Sequence, residues 1–293
     1  MRSAAAHRPI VLGVDAPAPA PTAVAWAADE ADRRGRPLRL VHAVSPPPYG
    51  FTGAEWVGSL KEQHREGDVV LDKAALLARE RHPGLEITSG TVEGVTDQVL
   101  CEESRHAELV VVGSRRLSHV EEWLSASSVT VPLSAQAHCP VVVVGAPEHS
   151  TEQPPYVVVG VDGSRSSAAA VDFAVDLAAR RGAELRAVWV WQRPVIWPPG
   201  DHDAVQTLRR QLSEATAGQG GAHPDVRVTH DVLVGHPVEQ LADASAHALA
   251  VVVGRRGHGG FTGMRLGSVP HGLLHHAHCP VVTVPPPADH HHR

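Results

Sequence analysis

The chain has 293 residues, 43% hydrophobic and 20% charged, with a formal net charge of -6. That length suits about two ordinary globular domains, and the acidic balance argues against general nucleic-acid binding, which usually leaves a basic footprint. No run approaches the roughly 18 apolar residues of a membrane-spanning helix, and the N-terminus enters a strand-like segment without a signal-peptide core.

In chain order, the first expected strand lies in PIVLGVD, Pro9 to Asp15, and leads into the loop APAPAPT. A second apolar run, ELVVVGSRR from Glu108 to Arg116, places Gly113 at a strand end, and AHCPVVVV closes this half at Val144. A polar, proline-containing linker follows from Gly145 to Pro155. Then the pattern returns: YVVVGVD from Tyr156, LAVVVGRRG from Leu249, and AHCPVVTV from Ala277 to Val284. Three pairs in the same order, separated by about 140 residues, indicate a duplicated domain and not a short solenoid repeat. The domains are expected at 1–147 and 154–287.

The second half predicts a strand over Val157 to Val161, then a helix over Ser166 to Arg181 with an apolar face of Ala169, Val171, Phe173, Ala174, Leu177 and Ala178. A strand follows at Leu185 to Trp191, a helix at Val205 to Ala217, and a strand at Val226 to Leu233. A helix with proline in its first turn runs from Pro237 to His247, before a strand at Leu249 to Val253. After a glycine-rich loop come a helix at Val269 to His276 and a last strand at Val281 to Val284. Continuous apolar strands between helices call for parallel sheets covered on both faces. The expected class is therefore α/β, as two tandem doubly wound parallel-sheet domains.

The glycine loop spells G-x2-G-x9-G-S, with Gly254, Gly257, Gly267 and Ser268. Gly254 and Gly257 are expected to turn the backbone at positive φ and let a ligand approach. Gly267 and Ser268 stand at a helix start, which favours phosphate. Ser268 is a hydroxyl donor for a phosphate oxygen, or a helix cap. Asp162, just past the first strand, is an acceptor for a ribose hydroxyl or an adenine amine, or a turn cap. Arg255 and Arg256 are phosphate contacts or a solvated pair, with neither reading favoured. The loop has no GxxxxGK[ST], and no GxGxxG follows the first strand.

These residues, with Asp162-Gly163-Ser164 and the HCPVV strand, resemble the universal stress protein family, and the whole chain is similar to its tandem members. The resemblance implies a Rossmann-like, five-stranded core with strand order 3-2-1-4-5. It also implies an ATP site, with Mg2+ as an accompanying ion, in a regulatory or stress-response protein. Val161 and Asp162 would border the adenosine, and Val190 would offer backbone contacts to adenine. Gly254, Gly257, Gly267, Ser268 and Val269 would line the ribose and phosphates. Domain pairing within one chain, a homodimer and an unidentified protein partner follow from the same resemblance.

The first half departs from this pattern. Arg116 stands where the second glycine belongs, Ser127-Ser128 replaces Gly267-Ser268, and Glu121 and Glu122 fall within the loop. Its ATP binding is expected to be lost or weak. No nucleophile and base pair or metal carboxylate cluster suggests an enzyme, although slow ATPase activity stays open. The alternatives are a nucleotide-dependent enzyme of a related α/β group and a dimerisation module that binds no nucleotide.

Other residues receive plainer readings. Cys101, Cys139 and Cys279 form no disulfide framework or CxxC pair, so a cytoplasmic location is expected, with Cys139 and Cys279 as buried packing residues. His271 and His275 have zinc-compatible i, i+4 spacing but read better as surface histidines. Trp189, Trp191 and Trp197 suit core packing or a cover over adenine, and strand alternation favours packing for Trp189 or Trp191. The segment from Gln192 to Asp203 reads as a mobile loop able to shield the site.

Overall fold

A computed structural model describes residues 8–45, 53–114, 129–145, 150–192, 202–217, 223–257 and 265–287. The chain divides into two compact units, Met1–Pro147 and Glu148–Arg293.

In the first unit the order is β1 (Ile10–Gly13), α1 (Pro21–Arg34), β2 (Leu38–Val44), α2 (Gly53–Arg81), β3 (Ile87–Glu93), α3 (Thr96–Glu103), β4 (Leu109–Gly113), α4 (Thr130–Gln136) and β5 (Val141–Val144). In the second it is β6 (Tyr156–Gly160), α5 (Arg165–Arg181), β7 (Glu184–Trp191), α6 (His202–Ala217), β8 (Val228–Val234), α7 (Pro237–Ala244), β9 (Ala250–Gly254), α8 (Ser268–His276) and β10 (Val281–Val284). Within the units the strands run β3-β2-β1-β4-β5 and β8-β7-β6-β9-β10. Each is the order 3-2-1-4-5, with parallel pairing. This is the expected doubly wound α/β fold.

The central strands explain the arrangement. Val157, Val158 and Val159 are all fully buried, although successive side chains point to opposite faces. Both faces must therefore be covered, and a parallel connection through a helix does this. α1 packs with α2 and α3 with α4, and the same pairing recurs as α5 with α6 and α7 with α8.

Local signals set the helix ends. Ser164 caps α5 by accepting a hydrogen bond from the Ser167 N–H at 3.1 Å. Gly182 closes that helix at φ 59°, a left-handed conformation favouring glycine, and its N–H donates back to Ala178 and Ala179. Gly35 closes α1 in the same way. The buried stripe of α5 is Ala170, Val171, Ala174, Val175, Leu177 and Ala178. The expected Ala169 and Phe173 lie half-buried at its margin. α7 stops at Ala244, short of the expected His247, where Ser245 Oγ donates to Ala242 O at 3.1 Å. Such a local bond competes with continued helix.

Cys139 and Cys279 are buried, as expected, while Cys101 is half-buried; none of the three is in a disulfide. Burial pushes the Cys139 thiol pKa up to about 12.

Candidate functional site

β6 ends at Gly160, and the next N–H, of Val161, donates to Val188 O at 2.9 Å, extending the strand contact into the loop. Asp162 follows at the carboxyl end of the sheet, where open α/β sheets bind ligands. Its Oδ1 accepts from the Ser164 N–H at 3.0 Å, and Gly163 takes φ 79° between them. Asp162 thus orders a turn, while Ser164 caps the helix.

The α5 N-terminus also holds the segment after β9. Ser166 Oγ accepts from the Arg256 N–H at 3.3 Å, and Ser164 Oγ donates to Arg256 O at 3.5 Å. The Arg255 N–H donates to Val284 O at 2.7 Å, and the Gly267 N–H to Arg255 O at 2.9 Å. These bonds fix both edges of the glycine loop. Residues 258–264 lie outside the described residues.

The glycines act by size, which corrects the expectation of positive φ at Gly254 and Gly257. Neither lies in that region. A Cβ on Gly254 would sit 2.6 Å from the Ser166 carbonyl carbon, and one on Gly257 would overlap Asp162 Oδ2. Both glycines let the β9 loop pass close to the β6 loop. Gly267 differs: its nearest neighbours to a Cβ are at 3.5 Å. It caps α8 in an extended conformation (φ -72°, ψ 162°), with no side-chain cap. Ser268 is therefore the first helical residue and does not cap. The N–H groups of a first helical turn lack intrahelical acceptors and point out of the helix.

Val161, Asp162, Val190, Gly254, Gly257, Gly267, Ser268 and Val269 all line one cavity of about 350 Å³. Sequence reasoning did not assign Ser167, His236, Pro237, Val238 or Leu241 to the site, and they line it as well. A signal for the wall at His236 was available. Gly235 precedes α7 at φ 147°, and Gly94 precedes α3 at the same φ, so the turn recurs in both halves. Arg256 lines the cavity and Arg255 does not, which separates that pair. Among the described lining residues, Arg256 is the one Lys or Arg and Asp162 the one carboxylate. The cavity therefore offers an apolar wall, an acceptor at the sheet end, and donors with positive charge at the α8 end. That polarity suits a ligand with a flat body, hydroxyl groups and an anionic tail.

Of the other expected residues, Gln192 alone among the described ones lines the cavity. Trp189 and Trp191 are half-buried and do not line the cavity, while Trp197 lies outside the described residues. Gln192 lines it; residues 193–201 of the expected shielding loop lie outside the described residues, and its last two, His202 and Asp203, instead begin α6. His271 and His275 are exposed, with ring centroids 5.0 Å apart. No group of three metal-ligating side chains occurs among the described residues.

The first unit has a matching cavity of about 330 Å³, lined by Val14, Asp15, Gly113, Ser114, Val129 and Thr130 among others. Its expected departures at Arg116, Glu121, Glu122 and Ser127-Ser128 lie outside the described residues. One departure is visible: the N-cap of α1 is Ala20, with no side-chain cap bond.

Among the described residues no helix is long and apolar enough to cross a membrane. The model of the universal stress protein family matches residues 6–145 and 156–285. A universal stress protein of Mycobacterium tuberculosis is 37% identical over 288 residues, covering 93% of this chain and 95% of that protein. One from Mycolicibacterium smegmatis is 34% identical over 289 residues, covering 94% and 97%. The crystal structure of a universal stress protein from Archaeoglobus fulgidus shares the fold, with a TM-score of 0.69 at 16% identity, covering 94% of this chain and 96% of that one. By the two-fold match to the family model and this identity across nearly its whole length, the chain belongs to the universal stress protein family, as two tandem copies.

Proposed function

We propose that the second unit binds ATP and that the protein acts as a regulatory, stress-response nucleotide binder. The observation that carries this reading is the convergence of all eight residues, Val161 to Val269, on one cavity. Adenosine would lie along Val161, Asp162 and Val190, and the phosphates along Gly254, Gly257 and the start of α8. The residues fit the group. Gly254 and Gly257 leave a cradle that a Cβ would fill. The α8 N-terminus and Arg256 supply donors and positive charge for phosphate. Mg2+ would accompany the phosphates, which can supply most of its oxygen ligands. Binding would order the glycine loop and shift a surface that a partner reads. In this reading the first unit serves as a scaffold with no or weak ATP binding. The protein would work in the cytoplasm, as an internal domain pair or a homodimer.

Calorimetry with ATP on the wild type, Gly257→Asp and Gly267→Asp tests the site. The wild type binds, and each carboxylate, placed against phosphate, abolishes binding. A wild-type chain that is folded yet silent to ATP overturns the reading. A turnover assay addresses the enzyme alternative: rapid, substrate-dependent release of AMP and pyrophosphate would contradict a regulatory role.

A further inference from the structure

Helix α8 carries histidines on its exposed face. Its inward residues are Pro270 and Leu273, both buried, and Gly272 lies so close to α7 that a Cβ there would sit 2.5 Å from the Val238 side chain. These contacts fix the rotation of the helix. His271 and His275 are left exposed, and residues four apart are neighbours on a helix surface. His278 would continue the stripe, but the chain leaves the helix at Ala277, which is extended at φ -69° and ψ 140°. His276 is exposed too, but lies about 100° around the helix from His275. In the first unit the matched positions are Val131 and Ala135, so the pair belongs to the second copy.

The spacing is compatible with zinc, and the structure adds the distance. The two ring centroids lie 5.0 Å apart, with the planes at 55°. Two imidazoles bound to one ion through nitrogens at about 2.0–2.1 Å, at a tetrahedral angle, hold their ring centres about 5 Å apart. The rings therefore already stand at chelating separation, and binding has little side-chain freedom left to remove. The terminal torsion of histidine is broad and roughly two-fold. A flip about it leaves the ring centres nearly in place and offers either nitrogen to the shared point. Neutral imidazole suits zinc, copper and nickel, and a tetrahedral site favours zinc.

We propose that His271 and His275 form a two-histidine chelate for a divalent transition ion of the zinc class, with water in the remaining positions. Neither histidine lines the cavity of the second unit, so this site stands apart from the nucleotide reading. The His271 N–H donates to Gly267 O at 3.1 Å, in the first turn of α8. An ion held across the next turn keeps both of its ends helical, so occupancy protects this nine-residue helix against fraying.

The test is calorimetry of the full chain with Zn2+ and no nucleotide. The chain has 21 histidines, so the criterion is one equivalent that depends on both residues. The wild type shows it, and His271→Ala and His275→Ala each weaken it at least tenfold. The double variant loses no more than either single one, because removing one arm already breaks a chelate. His276→Ala keeps the equivalent, as does replacing His290, His291 and His292 together with alanine. Zn2+ raises the melting temperature of the wild type and not of the two single variants, which melt like wild type without the ion because both positions are exposed. Survival of the equivalent in either single variant overturns the proposal. So do additive losses from the two, which mark separate weak sites, or an equal loss in the His276 or tail variants.

Discussion

At the scale of single residues, three loop glycines separate by what surrounds them. A side chain on Gly254 meets backbone that cannot yield, so Gly254→Ala should cost about 1–3 kcal/mol of stability in denaturant unfolding. At Gly257 the obstacle is the end of the Asp162 side chain, which can move. Gly257→Ala should therefore change stability by less than about 0.5 kcal/mol, yet weaken ATP at least tenfold, about 1.4 kcal/mol, because Asp162 is displaced. Gly267→Ala has room and should leave stability unchanged in the same unfolding experiment. The spacing of these glycines was legible in the sequence because the repeat frames it. Their reason was not, because Ser166 and Asp162 are distant along the chain and only the fold brings them alongside. Ser268 failed as a cap for a related reason: Gly267, one residue earlier, already has the extended conformation that a cap requires.

At the scale of elements, the two helices that follow the first strands show how one fold tolerates different chemistry. Glu30 in α1 is fully buried and accepts from Arg34 Nε at 2.6 Å. Arg34 Nη1 also donates to Glu108 at 3.0 Å, and Arg36 bonds Glu108. In α5 the matching position is Leu177, also fully buried. Glu30→Ala should cost about 3 kcal/mol in chemical denaturation, the low end for breaking a buried pair, since Arg34 keeps Glu108.

A second link, between α1 and the end of α2, depends on pH. Burial pushes the Asp29 carboxyl upward, but hydrogen bonds from Arg81 and His82 outweigh it and hold its pKa below the usual value. A pKa depressed on folding adds stability above the unfolded value of about 4, and that stability is lost as pH falls through the folded value. Asp29→Asn should therefore be less stable than wild type at pH 7, with the deficit shrinking below about pH 4; melting at both pH values checks this. Strands were read closely because their apolar runs are continuous, as at Val281–Val284. Helix ends were read less well: Pro237 correctly marks the start of α7, but nothing in ADASAH announces a stop at Ala244.

At the scale of the whole molecule, duplication gives two cavities of nearly equal size from sequences that differ at their rims. The fold was legible because three motifs return in order, each at the end or start of a strand. The cavity wall from His236 to Leu241 was not, because it is built by a turn whose only sequence mark is a single glycine in each half. The asymmetry between the cavities is the central claim. It is carried in the described residues by Ser164, Ser166 and Ser167 in one unit against Pro17, Pro19 and Ala20 in the other. Native mass spectrometry of the full chain titrated with ATP tests it most directly. The account predicts saturation at one ATP per chain, lost in Gly257→Asp; two ATP per chain, or none, would contradict it.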